Sequence, residues 1–401
     1  MIAHRSLTPK AIYPVLLGLL LGQGVVLGRY VTSNWRTPFG HEDWWTYVSS
    51  VYMLRDGQGH LIYDIPSLTA VQAALGRSEA VIYPYHPAYL LLVYPFAVLP
   101  PNMSYVGWMA FNIVLLAFCL QMLASRFVPT NERRLFFLIV GASLPVYIAL
   151  AYGQSSFVVL LGVSLVVVGT ISGHDIRSGL GLAVLLIKPQ YLLLWLALLL
   201  WRRQLRALAF FSVAGGILLG LSYLLVGSDG LFSYVHLLAS GAMAKRYAAS
   251  YTLNGIAYAL PGEASTAVTY ALMSAVVLAG YVFTLVKTSR HTEQRSLMAI
   301  TLLASMLVAN YLLIYDLTMW SVVLALLWSS ATVGNARFLL AAGFTAPWIS
   351  FACAQLGFPF VWPTVAVAVA VLVLLFRDAW RTYSLMNWPA SISGGECNQE
   401  T

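Results

Sequence analysis

Residues 156–172 read Ser-Phe-Val-Val-Leu-Leu-Gly-Val-Ser-Leu-Val-Val-Val-Gly-Thr-Ile-Ser, an apolar run that contains no charged side chain. Runs of about 20 apolar residues are typical of helices that cross a bilayer. Similar runs recur along the whole chain, and they do not alternate as the strands of a membrane barrel do. This pattern predicts an all-α, polytopic integral membrane protein.

The composition supports the same fold class. The chain of 401 residues is 60% hydrophobic and only 9% charged, and its mean hydropathy is +0.79. A soluble domain is about 45–50% apolar and about 25% charged. The net charge is +8, but the basic residues stand in short clusters between apolar runs. That distribution indicates membrane topology and predicts no binding of nucleic acid.

We predict about twelve transmembrane helices. The basic N-terminal tail and the basic residues Arg377 and Arg381 both belong on the cytoplasmic side, which requires an even number of crossings. In an alternative topology, 84–103 is a re-entrant hairpin and the helix over 178–201 is broken at Lys188-Pro189. The predicted spans cover 11–30, 84–100, 104–124, 135–152, 156–172, 178–201, 207–226, 266–286, 296–314, 317–333, 337–353 and 362–376.

The domain organisation follows from these spans. Residues 1–383 are predicted to form a single transmembrane domain, followed by a flexible C-terminal tail over 384–401. The segment 31–83 is a long first external loop, and long loops of this kind are often functional or carry short helices. Residues 228–265 form a second external loop. Both topologies place 31–83 outside.

An acidic pair in the first external loop is the leading candidate for chemistry. Glu42 and Asp43 precede Trp44 and Tyr47, so a carboxylate stands beside aromatic rings that can hold a sugar or a lipid headgroup. Asp43 can act as a general base that deprotonates an acceptor hydroxyl. If this stretch is helical, Asp43, Tyr47 and Ser50 share one face. The alternative is a solvated loop carboxylate.

Further aromatic and polar residues follow in the same loop. Tyr63-Asp64 and the run from Tyr83 to Pro87, which includes Tyr85 and His86, are a candidate platform for a sugar. The alternative is an interfacial belt of aromatic residues. The spacing of the histidines and acids matches no zinc motif, so we predict no metal site.

Charged residues within or between the later apolar runs are the remaining candidates. Lys188 interrupts a span, and an ionisable residue at such a place marks a functional site by default. Asp316 interrupts another apolar stretch, where it can pair with Lys188 or bind acceptor hydroxyls. Lys245 and Arg246 lie in the second external loop, where two cations suit a phosphate clamp or an anchor to anionic lipid.

Taken together and in order, these motifs resemble glycosyltransferase family 87 over about residues 35–330. The resemblance rests on Asp43-x-x-x-Tyr47, Gly57, Leu61-Ile62-Tyr63-Asp64, Tyr83-Pro84-x-x-Pro87, Tyr94-Pro95, Leu99-Pro100, Gly153-Gln154, Lys188-Pro189, Trp201-Arg202-Arg203 and Tyr315-Asp316. Two features depart from the family pattern. An Asp-Trp-Trp run replaces the commoner Asp-Phe, and Leu253-Asn254-Gly255 stands where Asn-x-Ser is often seen.

The resemblance implies a membrane enzyme of the GT-C class that uses polyprenyl-phosphate mannose. It implies inverting transfer on the external face of a bacterial inner membrane, to a lipid or glycan acceptor. It also implies that Asp43 is the base. No cofactor is expected beyond the lipid-linked donor. The residues expected to contact substrate are Glu42, Trp44, Tyr47, Tyr63, Asp64, Tyr85, His86, Gln154, Lys188, Lys245, Arg246 and Asp316.

Two other classes remain open at this point. A transporter or lipid flippase would use Lys188 and Asp316 as an intramembrane polar site, although no matching halves are visible in the sequence. A non-catalytic membrane partner protein is the third reading.

Overall fold

The computed structural model describes residues 9–33, 42–77, 81–240, 249–260, 263–288, 294–328, 336–356 and 361–386. Within them the chain forms α-helices joined by turns and short 3-10 segments, and these residues contain no strand. The helices are, in chain order, α1 (Pro9–Ser33), α2 (Glu42–Arg55), α3 (Ile65–Ala74), α4 (Tyr89–Ala97), α5 (Pro101–Phe127), α6 (Arg133–Gly141), α7 (Leu144–Ala151), α8 (Ser156–Ser172), α9 (Asp175–Leu185), α10 (Leu192–Trp201), α11 (Leu205–Ala239), α12 (Leu253–Ala259), α13 (Glu263–Lys287), α14 (Gln294–Val308), α15 (Trp320–Leu327), α16 (Ala336–Gln355) and α17 (Trp362–Met386).

The described residues include five helices that are long and apolar enough to cross a membrane. They are α1, α5, α11, α13 and α17. A sixth span arises if α6 and α7, which are bent by 55°, count as one crossing. The all-helical membrane fold is therefore confirmed, whereas the twelve predicted spans are not.

Short apolar helices account for much of this difference. α4 has 9 residues, which makes it about 13 Å long at 1.5 Å per residue. The hydrocarbon core is about 30 Å thick. The helix that the structure shows within the predicted span over 84–100 is therefore too short to cross alone. α8, α10, α14 and α15 are also shorter than a full span, with 17 residues or fewer each. Hydropathy alone does not distinguish such helices from membrane-crossing ones.

The predicted first external loop is largely helical where the structure describes it. α2 and α3 occupy most of residues 42–77, with a 3-10 turn over Gly59–Leu61 between them. This turn packs against α11, because a Cβ on Gly59 would lie 2.4 Å from the Leu225 carbonyl oxygen. Residues 42–77 are therefore a folded, packed segment rather than an open loop.

The predicted span over 178–201 is broken at Lys188-Pro189, as in the alternative topology. α9 ends at Leu185, a 3-10 turn covers Pro189–Tyr191, and α10 starts at Leu192. Pro189 has no backbone N–H and disfavours a helical conformation at the residue before it. Lys188 accordingly leaves the helix, with φ −132° and ψ 81°.

α11 consists of two helical segments, and the first ends at residue 226, as predicted. The second segment continues to Ala239 and takes up the beginning of the predicted second external loop. Gly227 interrupts α11 with φ 69° and ψ −175°, a conformation that suits glycine. This kink lies beside the 3-10 turn at Gly59–Leu61. The predicted tail over 384–401 lies outside the described residues from 387 onward.

Two buried clusters of different composition hold the described helices together. An aliphatic core surrounds α8, α14 and α15, where Leu160, Val163 and Leu303 are fully buried. A second cluster is rich in aromatic residues and joins α2, α4, α5 and the segment 81–88. Among the candidate residues of the first external loop, Trp44, Tyr47 and Tyr63 belong to this aromatic cluster.

Candidate active site

α2 carries the leading candidate residue and turns it toward the protein interior. Asp43, Tyr47 and Ser50 all lie in α2, so their spacing puts them on one helical face, as predicted. All three are buried, as are the residues between them. The charge of Asp43 acts on two tyrosines. Burial is the main cause that raises the pKa of Tyr47 and of Tyr85, and the negative charge of Asp43 raises both further. Asp43 therefore lies close to both phenol groups.

Tyr47 lies at the centre of a group of packed rings. Its ring centroid is 5.2 Å from that of Tyr85, 5.5 Å from that of Tyr89 and 6.2 Å from that of Tyr83. Tyr63 packs against Tyr83 at 5.8 Å. We call these five residues, together with Tyr234, the tyrosine cluster. Such contacts each contribute about 0.5–1.5 kcal/mol beyond area burial, so the cluster holds its rings in fixed positions.

Trp44 connects α2 to α5. Its indole stacks on Trp108 with centroids 5.3 Å apart, and its Nε1 donates a hydrogen bond of 3.0 Å to Ser104 Oγ. The buried indole N–H is thereby satisfied, as buried polar groups normally are. Packing and a hydrogen bond therefore fix the position of Trp44.

The segment 81–88 crosses the site without forming a helix, because Pro84 and Pro87 interrupt it. Gln72 of α3 holds its start, with Nε2 donating to the Val81 carbonyl and Oε1 accepting from the Val81 amide, each at 2.8 Å. Tyr63 donates a 2.7 Å hydrogen bond to the Tyr85 carbonyl. These bonds place the Tyr85 side chain between α2 and the turn before α8.

That turn presents Gln154 to Tyr85. Gly153 adopts φ +64°, and its carbonyl accepts a 2.7 Å bond from Trp108 Nε1. The Tyr85 hydroxyl donates to Gln154 Oε1 at 3.0 Å. Gln154 is fully buried, and its Nε2 has no hydrogen-bond partner within the described chain. An unsatisfied buried donor costs about 1–3 kcal/mol, which makes it a candidate for binding a ligand.

Lys188 and Asp316 form a buried ion pair, as one of the sequence-based readings of Asp316 anticipated. Lys188 Nζ is 2.6 Å from Asp316 Oδ1, and both side chains are buried. Asp316 also accepts from Ser156 Oγ at 3.1 Å through Oδ1, and from the Leu313 amide at 3.4 Å through Oδ2. Both oxygens of this carboxylate are therefore occupied, and the pair joins the helix break at Lys188 to the 3-10 turn over Ile314–Met319.

The ammonium group of Lys188 also contacts aromatic rings. Nζ is 5.7 Å from the centroid of Tyr85 and 5.2 Å from that of Tyr315, distances at which cation–π attraction operates. Tyr85 therefore contacts the ion pair, and it also feels the charge of Asp43. Among the described residues, Asp43, Lys188 and Asp316 are the only charged side chains that are buried. Tyr85 interacts with two of them, Asp43 and Lys188.

His86 is oriented by α11. Its Nδ1 is 3.3 Å from Ser222 Oγ, and its ring packs edge-on against Tyr234 at 5.9 Å. The Ser222 hydroxyl also accepts from the Ala88 amide at 3.0 Å. A single serine in an apolar run is a weak signal, so sequence reasoning missed Ser222. Ser156 belongs to the polar break that begins at Gly153, which was interpreted as a turn and not as a contact of Asp316.

The structure does not bring every candidate residue together. Asp64 is exposed and caps α3, where its carboxylate accepts from the Ser67 amide and hydroxyl at 2.9 and 2.5 Å. These hydrogen bonds lower its pKa. Lys245 and Arg246 lie outside the described residues, as does the side chain of Glu42. Within the described part of the chain, no three His, Cys, Asp or Glu side chains are grouped to hold a metal ion.

Comparison with known proteins gives a family for the chain. The sequence profile of glycosyltransferase family 87 matches residues 83–315, which is more than half of the chain. The match includes Tyr85, His86, Gln154 and Lys188 but begins after Asp43. No curated protein matches the sequence. The match over residues 83–315 shows that the chain belongs to glycosyltransferase family 87 and is a membrane glycosyltransferase.

Proposed function

We propose that the protein transfers a hexose from a polyprenyl-phosphate donor to a hydroxyl of a lipid or glycan acceptor, with Asp43 as general base. Mannose is the sugar that the resemblance implies. The acceptor oxygen attacks the anomeric carbon while Asp43 takes the hydroxyl proton. The bond between that carbon and the phosphate oxygen breaks, and its electron pair leaves with the lipid phosphate. Attack opposite the leaving group inverts the anomeric centre.

The position of Asp43 is the observation that supports this proposal. In a chain of this family, a buried carboxylate lies beside the phenol groups of Tyr47 and Tyr85. The leaving group is already an ionised phosphate and needs no acid, so one carboxylate suffices, whereas glycoside hydrolysis uses two. Because the family match begins at residue 83, the role of Asp43 rests on this geometry and not on the match.

Rings and polar groups around Asp43 supply the proposed binding surface. In this proposal the rings form the walls for the sugar, and the free amide N–H of Gln154 binds one of its oxygens. Lys188 and Asp316 hold Tyr85 and the inner end of the site. Lys245 and Arg246 are the proposed phosphate contacts, and cations there stabilise the charge that develops on the leaving group. The remaining proposed contacts are Glu42, Trp44, Tyr47, Tyr63, Asp64 and His86.

The proposed reaction takes place on the external face of a bacterial inner membrane. The donor places its chain in the bilayer and its phosphate at the interface, next to the segment that contains α2. The proposed chemistry uses no metal and no nucleotide, since the lipid phosphate is itself the leaving group. Membership in a glycosyltransferase family argues against the transporter and partner-protein readings.

The test compares Asp43→Asn with wild type in membranes supplied with radiolabelled polyprenyl-phosphate mannose. Membrane lipids and added glycolipids serve as acceptors. We expect transfer to fall by about 10²- to 10⁴-fold, the usual contribution of a general base. We expect Asp43→Asn to have the same melting temperature in detergent as wild type. Asp56→Asn is the matched control, because Asp56 is exposed just beyond the end of the same helix.

Each result has a definite meaning. Loss of transfer in Asp43→Asn, with Asp56→Asn active, supports the catalytic assignment. Equal transfer by Asp43→Asn and wild type removes Asp43 as the base. If wild type transfers no sugar from polyprenyl-phosphate mannose or from other polyprenyl-phosphate hexoses, the proposed donor class is wrong.

A further inference from the structure

His86 occupies a place where three parts of the chain meet. It follows Tyr85 in the segment 81–88, and it contacts Ser222 before the kink of α11 and Tyr234 after it. The segment 81–88 belongs to none of the helices that are long enough to span the membrane. The imidazole is only partly buried. It therefore connects the kinked helix to the tyrosine cluster.

The hydrogen bonds of Ser222 determine which nitrogen of His86 carries the proton. A serine hydroxyl has one hydrogen and two acceptor lone pairs. Its hydrogen goes to the Leu218 carbonyl at 2.8 Å, the shortest contact of the group. The Ala88 amide donates to one lone pair at 3.0 Å. The contact of 3.3 Å with His86 Nδ1 is then satisfied only if Nδ1–H donates to the second lone pair.

The other ring nitrogen is left as an acceptor. In a neutral imidazole with the proton on Nδ1, Nε2 carries a lone pair and no hydrogen. Burial lowers the pKa of His86 to about 4, so the ring is neutral at physiological pH. Within the described residues, Nε2 makes no hydrogen bond, since the contacts of this side chain are those to Ser222 and Tyr234.

A hydrogen-bond acceptor at Nε2 of His86 distinguishes the hydroxyl groups of a lipid-linked sugar from its phosphate. A lone pair repels a phosphate oxygen, which offers no hydrogen, but it accepts a bond from a hydroxyl. The neighbouring phenol groups of Tyr234 and Tyr83 are buried without a hydrogen-bond partner in the described chain. Because buried polar groups are normally satisfied, these two hydroxyls, together with the acceptor of His86, indicate a ligand rich in hydroxyls.

We propose that Nε2 of His86 accepts a hydrogen bond from a sugar hydroxyl of the substrate, while Ser222 holds the ring in the required tautomer. This assignment rests on the proposed glycosyltransferase function and adds the atom, its role as an acceptor and the chemical group that it recognises. It makes His86 a substrate-binding residue that is separate from the phosphate contacts.

Two substitutions of His86 separate binding from structure. The amide nitrogen of Asn lies where Nδ1 lies, so His86→Asn keeps the bond to Ser222 and loses the acceptor. Gln reaches the position of Nε2 and restores the acceptor there. The transfer assay is the one described for Asp43→Asn, with the same donor and acceptors. We expect His86→Asn to lower kcat/KM by about 3- to 10-fold. We expect His86→Gln to retain more activity than His86→Asn.

The proposal is overturned if His86→Asn is more active than His86→Gln. If His86→Asn transfers sugar like wild type and His86→Gln does not, the side chain acts only through Ser222. If both variants equal wild type, Nε2 contacts no substrate. His60→Asn and His60→Gln are the matched controls, because His60 is an exposed histidine in the adjacent 3-10 turn. A wild type that transfers no sugar overturns the proposed function itself, which is a different outcome.

Fluorinated donors identify which sugar supplies the hydroxyl. In polyprenyl-phosphate mannoses with one hydroxyl replaced by fluorine, that position can no longer donate a hydrogen bond. If the hydroxyl belongs to the donor, fluorine at one position lowers transfer by wild type but has no further effect in His86→Asn. If every fluorinated donor affects both proteins equally while the Asn and Gln variants differ as expected, the hydroxyl belongs to the acceptor.

Discussion

Asp43 and Asp316 are buried carboxylates with different surroundings. Asp316 is neutralised by Lys188 at 2.6 Å and also accepts bonds from Ser156 and from a backbone amide. Asp43 lies on α2 against the phenol groups of Tyr47 and Tyr85, whose pKa values its charge helps to raise. Asp316 thus connects separate parts of the chain, whereas Asp43 faces side chains that can also hold a hydroxyl-bearing ligand.

This comparison separates a structural role from a chemical one. Removing water from a charge costs several kcal/mol, and a nearby opposite charge repays that cost only with good geometry. Around Asp316 the protein's own residues supply this geometry, because Lys188 provides the opposite charge and Ser156 and the Leu313 amide donate hydrogen bonds. The tyrosine cluster around Asp43 keeps buried polar atoms without partners, namely the hydroxyls of Tyr83 and Tyr234. We expect substitutions around Asp316 to change stability. We expect substitutions of the unpartnered hydroxyls around Asp43 to leave stability nearly unchanged and to change transfer.

The strongest test of the structural role is to remove one charge of the pair. Lys188→Met leaves Asp316 buried without its counter-charge, which typically costs about 3–5 kcal/mol. Lys188→Met combined with Asp316→Asn removes both charges. The new amide oxygen can accept from the Leu313 amide, and the new amide N–H can donate to Ser156 Oγ. We expect the single variant to melt well below wild type in detergent and the double variant to recover most of that loss. A double variant as unstable as the single one contradicts a purely compensating role.

A matched pair of tyrosine substitutions tests the second region. Tyr63→Phe leaves the Tyr85 carbonyl without its 2.7 Å hydrogen bond, which costs about 1–3 kcal/mol when the acceptor is buried. Tyr83→Phe removes a hydroxyl that has no partner within the described chain, so stability is expected to stay equal or rise slightly. Melting temperatures of the two variants give the comparison. Equal losses in both show that the Tyr83 hydroxyl is bonded in the folded protein.

The smallest expected effect concerns Asp64 at the N-terminus of α3. Its hydrogen bonds to Ser67 lower its pKa in the folded state below the unfolded value of about 4. The stabilisation is therefore present above pH 4 and is lost as the pH falls through the folded pKa. Asp64→Ala removes this cap and costs about 1 kcal/mol at neutral pH.

The pH dependence of melting checks this prediction. The difference in melting temperature between wild type and Asp64→Ala should be full near pH 7 and shrink on acidification below pH 4. A difference that is constant down to pH 3 shows that the carboxylate charge does not contribute. Sugar transfer at neutral pH provides a separate reading of whether Asp64 also contacts substrate.

Much of the local structure could be predicted from the sequence. The apolar runs indicated a helical membrane protein, and the alternative topology included the break beside Lys188 that the structure shows. The spacing of Asp43, Tyr47 and Ser50 indicated a shared helical face, and all three are buried in α2. These features depend on hydropathy, on backbone geometry and on neighbours a few residues away, all of which a short stretch of sequence determines.

Only the tertiary structure decided which apolar helices are long enough to cross the membrane and which distant polar side chains come into contact. Hydropathy did not distinguish the 9 residues of α4 from a membrane span, because burial in protein and burial in lipid favour the same side chains. Lys188 meets Asp316 across 128 positions of sequence, and His86 meets Ser222 across 136. No local pattern encodes such contacts, since they arise from the packing of whole helices that brings distant polar groups into one buried place.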